Sequence, residues 1–121
     1  LPADLGERFA LVDPLDGTKE FIARNGEFTV NIAIVAAGRP VAGVVLAPAL
    51  GRIWWGVVGA GAFAAAVEAG AVGRARPIHV RAVPAAGLSV MASRSHCGAE
   101  TETFLARLPV SERISAGSSL K

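Results

Sequence analysis

DPLDGTKEF, at residues 13–21, is the stretch from which the fold of this chain can be inferred. The apolar run at residues 9–12 precedes it, and a turn containing Pro and Gly separates that run from a segment compatible with a helix. This order predicts a strand, a turn that carries polar groups, and a short helix over residues 17–23. Asp13 and Asp16 lie in the turn, where two carboxylates repel each other unless one is protonated or a cation lies between them.

The turn offers hard oxygen ligands, which suit a divalent cation. Pro14 fixes its own φ near about −65° and donates no hydrogen bond, which leaves the carbonyl of Leu15 free as a ligand beside the two carboxylates. Gly17 permits a close backbone approach, and Thr18 adds a hydroxyl and an N–H at the predicted helix start, where anions are favoured. Oxygen ligands beside such a position indicate phosphate chemistry.

A purely structural interpretation of the same turn stays open on these residues alone. Asp16 as a helix cap and Asp13 as a turn former would account for both carboxylates without a metal. An EF-hand loop is excluded, because its third and twelfth positions counted from Asp13 are Leu15 and Arg24. A P-loop is excluded as well, because no Gly-Lys-Ser/Thr follows a spaced glycine.

The composition is that of a globular chain. Of the 121 residues, 52% are hydrophobic and 18% are charged, and the mean hydropathy is +0.47. Twelve basic and ten acidic residues leave a formal net charge of +2, too small an excess to predict binding to nucleic acid or to a membrane surface. The longest uncharged stretch, residues 53–67, is shorter than the roughly 20 residues of a membrane helix, so no integral membrane segment is predicted.

The chain has one cysteine, Cys97, which excludes an intramolecular disulfide and an all-cysteine metal site within it. This usage is compatible with a reducing cytoplasm, the expected location. Cys97 follows His96, but no basic partner is placed to activate the thiol, so we predict a structural or incidental role. The chain begins without Met or a signal pattern, and we expect it to be an interior piece of a longer reading frame.

Most of the remaining sequence predicts strands rich in Val, Ile and Ala and bounded by turn residues. These predicted strands cover residues 28–36, 41–47, 53–58, 62–67, 77–80, 88–92 and 110–116. The first four form two antiparallel hairpins, and the strand at 88–92 is expected to be buried. Trp54 and Trp55 should point to opposite faces of their strand.

The other segments predict loops and one more helix. Residues 68–76 are predicted as a surface loop, and His79 as a surface or structural residue. Residues 81–87 look like a connection between two domains, with the first domain at 1–84 and the second at 85–121. Residues 99–108 show helical spacing of apolar side chains, and Ser95 is a plausible cap for that helix.

Three strings together resemble a known enzyme family. Residues 13–18 match the Asp-Pro-x-Asp-Gly-Thr signature of the metal-dependent, lithium-sensitive phosphatase superfamily that includes inositol monophosphatases. VDPLDGTKEFIARNGEFTVNIAI at 12–34, SRSH at 93–96 and GSSLK at 117–121 resemble its 3′(2′),5′-bisphosphate nucleotidase branch, CysQ type. The resemblance implies an α/β fold, a layered αβαβα sandwich, of which this chain covers only the end of one domain and the start of the next.

The resemblance also implies roles for the residues of the turn. Phosphomonoester hydrolysis would use two or three Mg²⁺ ions in the complete protein. Asp13 would bridge two ions, while the carbonyl of Leu15 and the carboxylate of Asp16 would each bind one. Gly17 and Thr18 would hold the phosphate through their N–H groups, and the Thr18 hydroxyl would orient the attacking water.

A nucleotide subsite made of His96, Ser118 and Lys121 is implied in the same way, with Lys121 compensating a second phosphate. The substrate would be 3′-phosphoadenosine 5′-phosphate, a phosphorylated nucleotide converted to AMP and phosphate in a clearance step tied to sulfate assimilation. On the residues alone, His96 as the neighbour of a helix cap and Lys121 as a solvated side chain stay open.

Two alternatives accompany this hypothesis. An inositol or sugar monophosphatase would share the turn at 13–18 but would not need His96 and Lys121. A non-catalytic, truncated relative would only bind anions or a partner. The family's glutamate motif and Trp-Asp metal motif do not occur in these residues, so we expect this chain alone to bind Mg²⁺ weakly and to be a poor catalyst.

Overall fold

The computed structural model describes residues 6–93 and 98–120. A seven-stranded sheet dominates it, and its strands pair antiparallel. Its strands are β1 (Arg8–Asp16), β2 (Thr29–Ala36), β3 (Arg39–Ala47), β4 (Arg52–Val57), β5 (Gly61–Glu68), β6 (Ala71–Val72) and β7 (Arg76–Ile78). They are ordered from β1 to β6, and β7 also pairs with β5.

A second, two-stranded sheet pairs β8 (Leu88–Ser93) with β9 (Val110–Ala116) in parallel. Helix α1 (Thr18–Ile22) follows β1, and helix α2 (Ala99–Leu105) connects β8 to β9. Two 3₁₀ turns, Pro48–Leu50 and Ser118–Leu120, complete the regular structure. In the ranges that the structure describes, no helix is long and apolar enough to cross a membrane.

The two predicted hairpins are confirmed. β2 pairs with β3, and β4 pairs with β5, each antiparallel and in continuous order along the sheet. Ala37 and Gly38 both have positive φ, 48° and 73°, as a two-residue turn that matches the right-handed twist of its strands requires. Runs of β-branched residues bounded by such turns therefore predicted these elements well.

The predicted end of β1 is wrong in one respect. The sequence predicts a strand at 9–12 followed by a turn, whereas β1 continues to Asp16. The register pairs Asp13 with Asn31 and Asp16 with Thr29, so two residues of β1 stand opposite one residue of β2, which is a β-bulge. β1 lies at one edge of the described sheet, where a bulge containing Pro14 is tolerated because Pro lacks the N–H that a central strand needs.

The helix after this bulge is shorter than the predicted 17–23. Its N-cap is Gly17, in the left-handed region at φ 85°, with no side-chain cap hydrogen bond. The interpretation of Asp16 as a helix cap is therefore wrong. The helix ends at Ile22, and the chain then turns away through Arg24 and Gly26, which both adopt positive φ.

Three further predictions need correction. The predicted loop at 68–76 contains β6, because a tight turn at Ala69 and Gly70 folds the chain back to pair with the end of β5. The strand predicted at 77–80 ends at Ile78, which leaves His79 exposed beyond it. β8 is not buried: Met91, for example, is 44% exposed, since in the described residues this strand pairs only with β9.

The second half otherwise follows the prediction. α2 ends at Leu105 instead of residue 108, and its N-cap is Gly98; the predicted cap Ser95 lies outside the described residues. Residues 79–84 have no regular secondary structure, in keeping with a connection, and the domain boundary at 84/85 stays a prediction.

The two faces of the large sheet differ in what covers them. Trp54 lines a groove with Ser119 and Leu120, whereas Trp55 stacks on Phe63 with ring centroids 5.7 Å apart. Since neighbouring residues of a strand point to opposite faces, the two tryptophans lie on opposite sides, as predicted. The 3₁₀ turn at 118–120 therefore packs on the face that carries Trp54.

Candidate active site

The bulge in β1 brings the two aspartates of the motif to one face of the sheet. Residues three apart on a regular strand point to opposite faces. Here Asp13 stands opposite Asn31 and Asp16 stands opposite Thr29, and these two β2 residues are two positions apart and share a face. The extra residue thus places both carboxylates on the side where the 117–120 segment packs.

Asp13 lies at the exposed side of this site. Its Oδ1 accepts a hydrogen bond of 3.1 Å from the N–H of Leu15, which orients the carboxylate across the bulge. Beside it runs a groove of about 530 Å³ along the sheet, whose lining includes Asn31, Val45 and Ser119. Because Asp13 is exposed beside this groove, its carboxylate is accessible to a cation.

Asp16 is held much more tightly, through a single carboxylate oxygen. Its Oδ2 accepts hydrogen bonds from the N–H and the hydroxyl of Ser119, each 2.7 Å long. The hydroxyl of Thr29 lies 3.3 Å from the same oxygen, and the hydroxyl of Ser118 also contacts it. Ser118 Oγ lies 3.1 Å from the Asp16 carbonyl oxygen as well.

These donors determine the charge of Asp16. Hydrogen bonds from Ser118, followed by those from Ser119 and Thr29, lower the pKa of Asp16 below its ordinary value of 3.8, while partial burial acts in the opposite direction. Hydrogen bonds to the ionised form outweigh desolvation, so the carboxylate is negatively charged at neutral pH.

A second layer of contacts from β2 supports these donors. Thr29 is completely buried, and its hydroxyl lies 2.8 Å from that of Ser118. The amide nitrogen of Asn31 donates a 2.8 Å hydrogen bond to the hydroxyl of Ser119. Asn31 Oδ1 is buried without a hydrogen-bond partner among the described residues.

Gly117 fastens the start of the same segment to the first half of the chain. Its N–H donates a 2.9 Å hydrogen bond to the carboxylate of Glu27. A Cβ at this position would lie 2.5 Å from Cγ of Glu20, so any larger residue would force the Glu20 side chain to move. Together with the contacts of Ser118 and Ser119, this fixes residues 117–119 against the end of β1.

The structure thus gathers some of the predicted site residues and leaves others undescribed. Asp13, Leu15, Asp16, Gly17 and Thr18 lie on one bend of the chain. Ser118, predicted to line the nucleotide subsite, contacts Asp16, while His96, Lys121 and Cys97 lie outside the described residues.

Four residues of this site are not predicted from the sequence: Glu27, Thr29, Asn31 and Ser119. Two of them left a usable signal. Thr29 and Asn31 are polar, two positions apart in an otherwise apolar strand, so they share one face of β2. The other two could not be found without knowing that residue 27 meets residue 117 and that residue 119 meets Asp16.

The oxygen atoms at the bulge fit a hard divalent cation. They comprise the Asp13 carboxylate, the second oxygen of Asp16 and the main-chain oxygen of Leu15, which are ligand types that Mg²⁺ prefers. Within residues 6–93 and 98–120, no group of three or more His, Cys, Asp or Glu side chains is placed to hold a metal ion. The described part of the chain therefore offers two carboxylates and a carbonyl.

Comparison with known proteins identifies the family. The model of the inositol monophosphatase family matches residues 3–120. The chain belongs to the inositol monophosphatase family. The predicted resemblance to this family and to its bisphosphate nucleotidase branch is confirmed.

Individual relatives agree with this assignment. The chain is 46% identical over 115 residues to the 3′(2′),5′-bisphosphate nucleotidase CysQ of Escherichia coli K12, an alignment that covers 95% of this chain and 44% of that protein. Its identity to the protein of the same name from Salmonella typhimurium LT2 is 47% over 115 residues, with the same coverage of both chains. The chain thus spans about half the length of the curated relatives it matches.

A solved structure confirms the fold class. The crystal structure of CysQ from Bacteroides thetaiotaomicron, a bacterial member of the inositol monophosphatase family, superposes with a TM-score of 0.80 at 39% identity. The superposition covers 95% of this chain and 47% of that one. The chain therefore has the α/β fold of this family over part of its sandwich.

Proposed function

We propose that the complete protein is an Mg²⁺-dependent phosphomonoester hydrolase that converts 3′-phosphoadenosine 5′-phosphate to AMP and phosphate. The observation that supports this most strongly is the pair of carboxylates on one face of the bulge, with Asp16 held ionised by Ser118 and Ser119. Two carboxylates on one face, with that of Asp16 held in the charged form, suit cation-assisted phosphate chemistry. The 46% identity to proteins named bisphosphate nucleotidases favours the nucleotide substrate.

Asp13, the Leu15 carbonyl and Asp16 would hold the cations, of which the complete protein would use two or three. When bound, such ions neutralise charge on the phosphoryl oxygens and make a bound water more acidic. Gly17 and Thr18 would then hold the phosphate through main-chain N–H groups. The hydroxyl of Thr18 would orient the water that attacks phosphorus.

His96, Ser118 and Lys121 would form the nucleotide subsite. Ser118 would then have a second task, since its hydroxyl also contacts Asp16. Substrate binding in the second half of the chain would in this way be linked to the cation-binding bulge. Lys121 would compensate the phosphate that is not removed.

The alternative function is an inositol or sugar monophosphatase, with which membership of the inositol monophosphatase family is equally compatible. It would keep the bulge and its carboxylates and would not depend on His96 and Lys121.

Under the main proposal, the complete protein acts in the cytoplasm and serves sulfate assimilation. The single cysteine of this chain is compatible with that location.

The experiment that tests the proposal is phosphate release from the bisphosphate nucleotide by the complete protein, with Mg²⁺ and after chelation. We expect release only with Mg²⁺. Asp13→Asn should lower kcat by more than about 100-fold, because it removes the charge of a metal ligand. Substitution of a residue that only supports a metal ligand usually costs at most about 100-fold. Metal-independent release, or an Asp13→Asn variant with wild-type kcat, would contradict it.

A further inference from the structure

The hydrogen bonds on Asp16 are concentrated on one of its two oxygens. Four donor groups from Thr29, Ser118 and Ser119 surround Oδ2. A carboxylate oxygen has about two lone-pair positions, so a cation on Oδ2 would have to displace some of these donors, at a cost that falls with each donor removed. A cation at Asp16 would therefore bind at lower cost through Oδ1.

We propose that this arrangement restricts Asp16 to coordination of a cation through one oxygen, and that Thr29 is a positioning residue for this carboxylate. Thr29 thereby favours small cations with octahedral coordination over larger cations. The inference rests on the proposed function, since it concerns the cation that Asp16 would hold there. It adds a determinant of cation selectivity in β2, away from the ligands themselves.

Thr29 can act only through other residues. It is 0% exposed, so it touches neither a substrate nor an ion. Its hydroxyl lies 3.3 Å from Asp16 Oδ2 and 2.8 Å from Ser118 Oγ, and it is paired with Asp16 in the register of β1 and β2. If the carboxylate turned to present both oxygens, the Ser119 donors would lose their acceptor, and the buried Thr29 hydroxyl would keep only its contact with Ser118, which is unfavourable.

Asn31 fixes the direction of one of these donors. The hydroxyl of Ser119 has one hydrogen, and it donates that hydrogen to Asp16. It must then accept from the amide nitrogen of Asn31, which is 2.8 Å away. The Asn31 side chain therefore keeps Ser119 turned toward Oδ2 of Asp16.

The coordination chemistry of Ca²⁺ and Mg²⁺ explains why a carboxylate that offers one oxygen selects between these two cations. Ca²⁺ takes about six to eight oxygens and often binds both oxygens of a carboxylate. Mg²⁺ takes about six in near-ideal octahedral geometry, at shorter distances, and is satisfied by single oxygens. A carboxylate that can offer only Oδ1 therefore penalises Ca²⁺ more than Mg²⁺.

The test is the ratio of the Ca²⁺ to the Mg²⁺ dissociation constant, measured by calorimetry on the complete protein. Thr29→Val keeps the shape and removes the hydroxyl, whereas Thr29→Ser retains the hydroxyl and is the matched control. We expect Thr29→Val to lower the ratio by about 10-fold, the usual scale for a residue that orients a metal ligand, and Thr29→Ser to leave it close to wild type.

Ser119→Ala provides a second variant at an exposed position, in case Thr29→Val fails to fold, and it should shift the ratio in the same direction. An unchanged ratio in a folded Thr29→Val or Ser119→Ala variant would overturn the inference. A shifted ratio in a protein that does not hydrolyse the nucleotide would support the inference and reject the proposed substrate. If the wild type bound neither Ca²⁺ nor Mg²⁺, both this inference and the proposed function would be rejected.

Discussion

At the scale of the residue, one carboxylate joins three segments that are distant in sequence. Asp16 at the end of β1 contacts Thr29 at the start of β2 and both serines of the 118–120 turn. The contacts with Ser118 and Ser119 span 102 and 103 positions of the chain, respectively. Such a contact costs loop-closure entropy, so a charged acceptor with several donors is a suitable group to make it.

The contact predicts a specific dependence on pH. Because hydrogen bonds lower the pKa of Asp16 in the folded protein, they stabilise the fold above the unfolded value near 3.8 and cease to do so as pH falls through the lower folded pKa. Ser118→Ala removes the largest cause and should raise the pKa of Asp16, as followed by carboxyl NMR titration.

The matched control is Ser89→Ala, since Ser89 donates to Glu112 on the second sheet and not to Asp16. It should leave the Asp16 titration unchanged. Denaturation at pH 7 and pH 3 gives the complementary readout: Ser118→Ala should lose less stability on acidification than the wild type. An unaltered titration in Ser118→Ala would contradict the assignment of the donor.

Gly117 carries a second prediction at this scale. Gly117→Ala places a methyl group against Glu20 and should destabilise the protein by about 1–3 kcal/mol, as overpacking does, while weakening the docking of Ser118 and Ser119. Gly43→Ala is the control, because Gly43 is not among the described residues with positive φ and a Cβ there meets only the main-chain oxygen of Ile32, at an ordinary 3.6 Å. Equal urea midpoints for the two variants would show that the close approach is unimportant.

At the scale of the element, the sequence predicts strands better than their irregularities. The hairpins of β2 with β3 and β4 with β5 follow from local signals, namely β-branched runs and the turn residues between them. The bulge in β1 does not, because it is defined only by pairing with β2. It decides the site, however, since it turns Asp13 and Asp16 to the same face.

The turn between β2 and β3 offers a test of how local signals stabilise this sheet. Ala37 adopts a left-handed conformation at φ 48°, which is unfavourable for alanine, whereas Asn is tolerant of it. We expect Ala37→Asn to raise the free energy of unfolding by about 0.5–1 kcal/mol, measured by urea denaturation.

Ala60→Asn is the control for that variant, because Ala60 lies in the turn between β4 and β5 and is not among the described residues with positive φ. It should change stability little. If Ala37→Asn were no more stable than the wild type, backbone strain at Ala37 would not limit the stability of the hairpin.

At the scale of the whole molecule, the site depends on the packing of the second half of the chain on the first. Gly117, Ser118 and Ser119 provide this packing, through Glu27, Asp16 and Asn31 respectively. The motif at 13–18 predicted the aspartates and the family, but pairing across about 90–100 positions could not be predicted from periodicity. This is why the sequence predicts only a role in the nucleotide subsite for Ser118, and no role in the site for Ser119.

The most direct test of the account is phosphate release by the complete protein with Mg²⁺, comparing 3′-phosphoadenosine 5′-phosphate with inositol 1-phosphate. Because the proposal assigns His96, Ser118 and Lys121 to a nucleotide subsite, it predicts a strong preference in kcat/KM for the nucleotide. A preference for the inositol ester would keep the cation-binding bulge and contradict the subsite. Release from neither substrate would contradict the proposed activity itself.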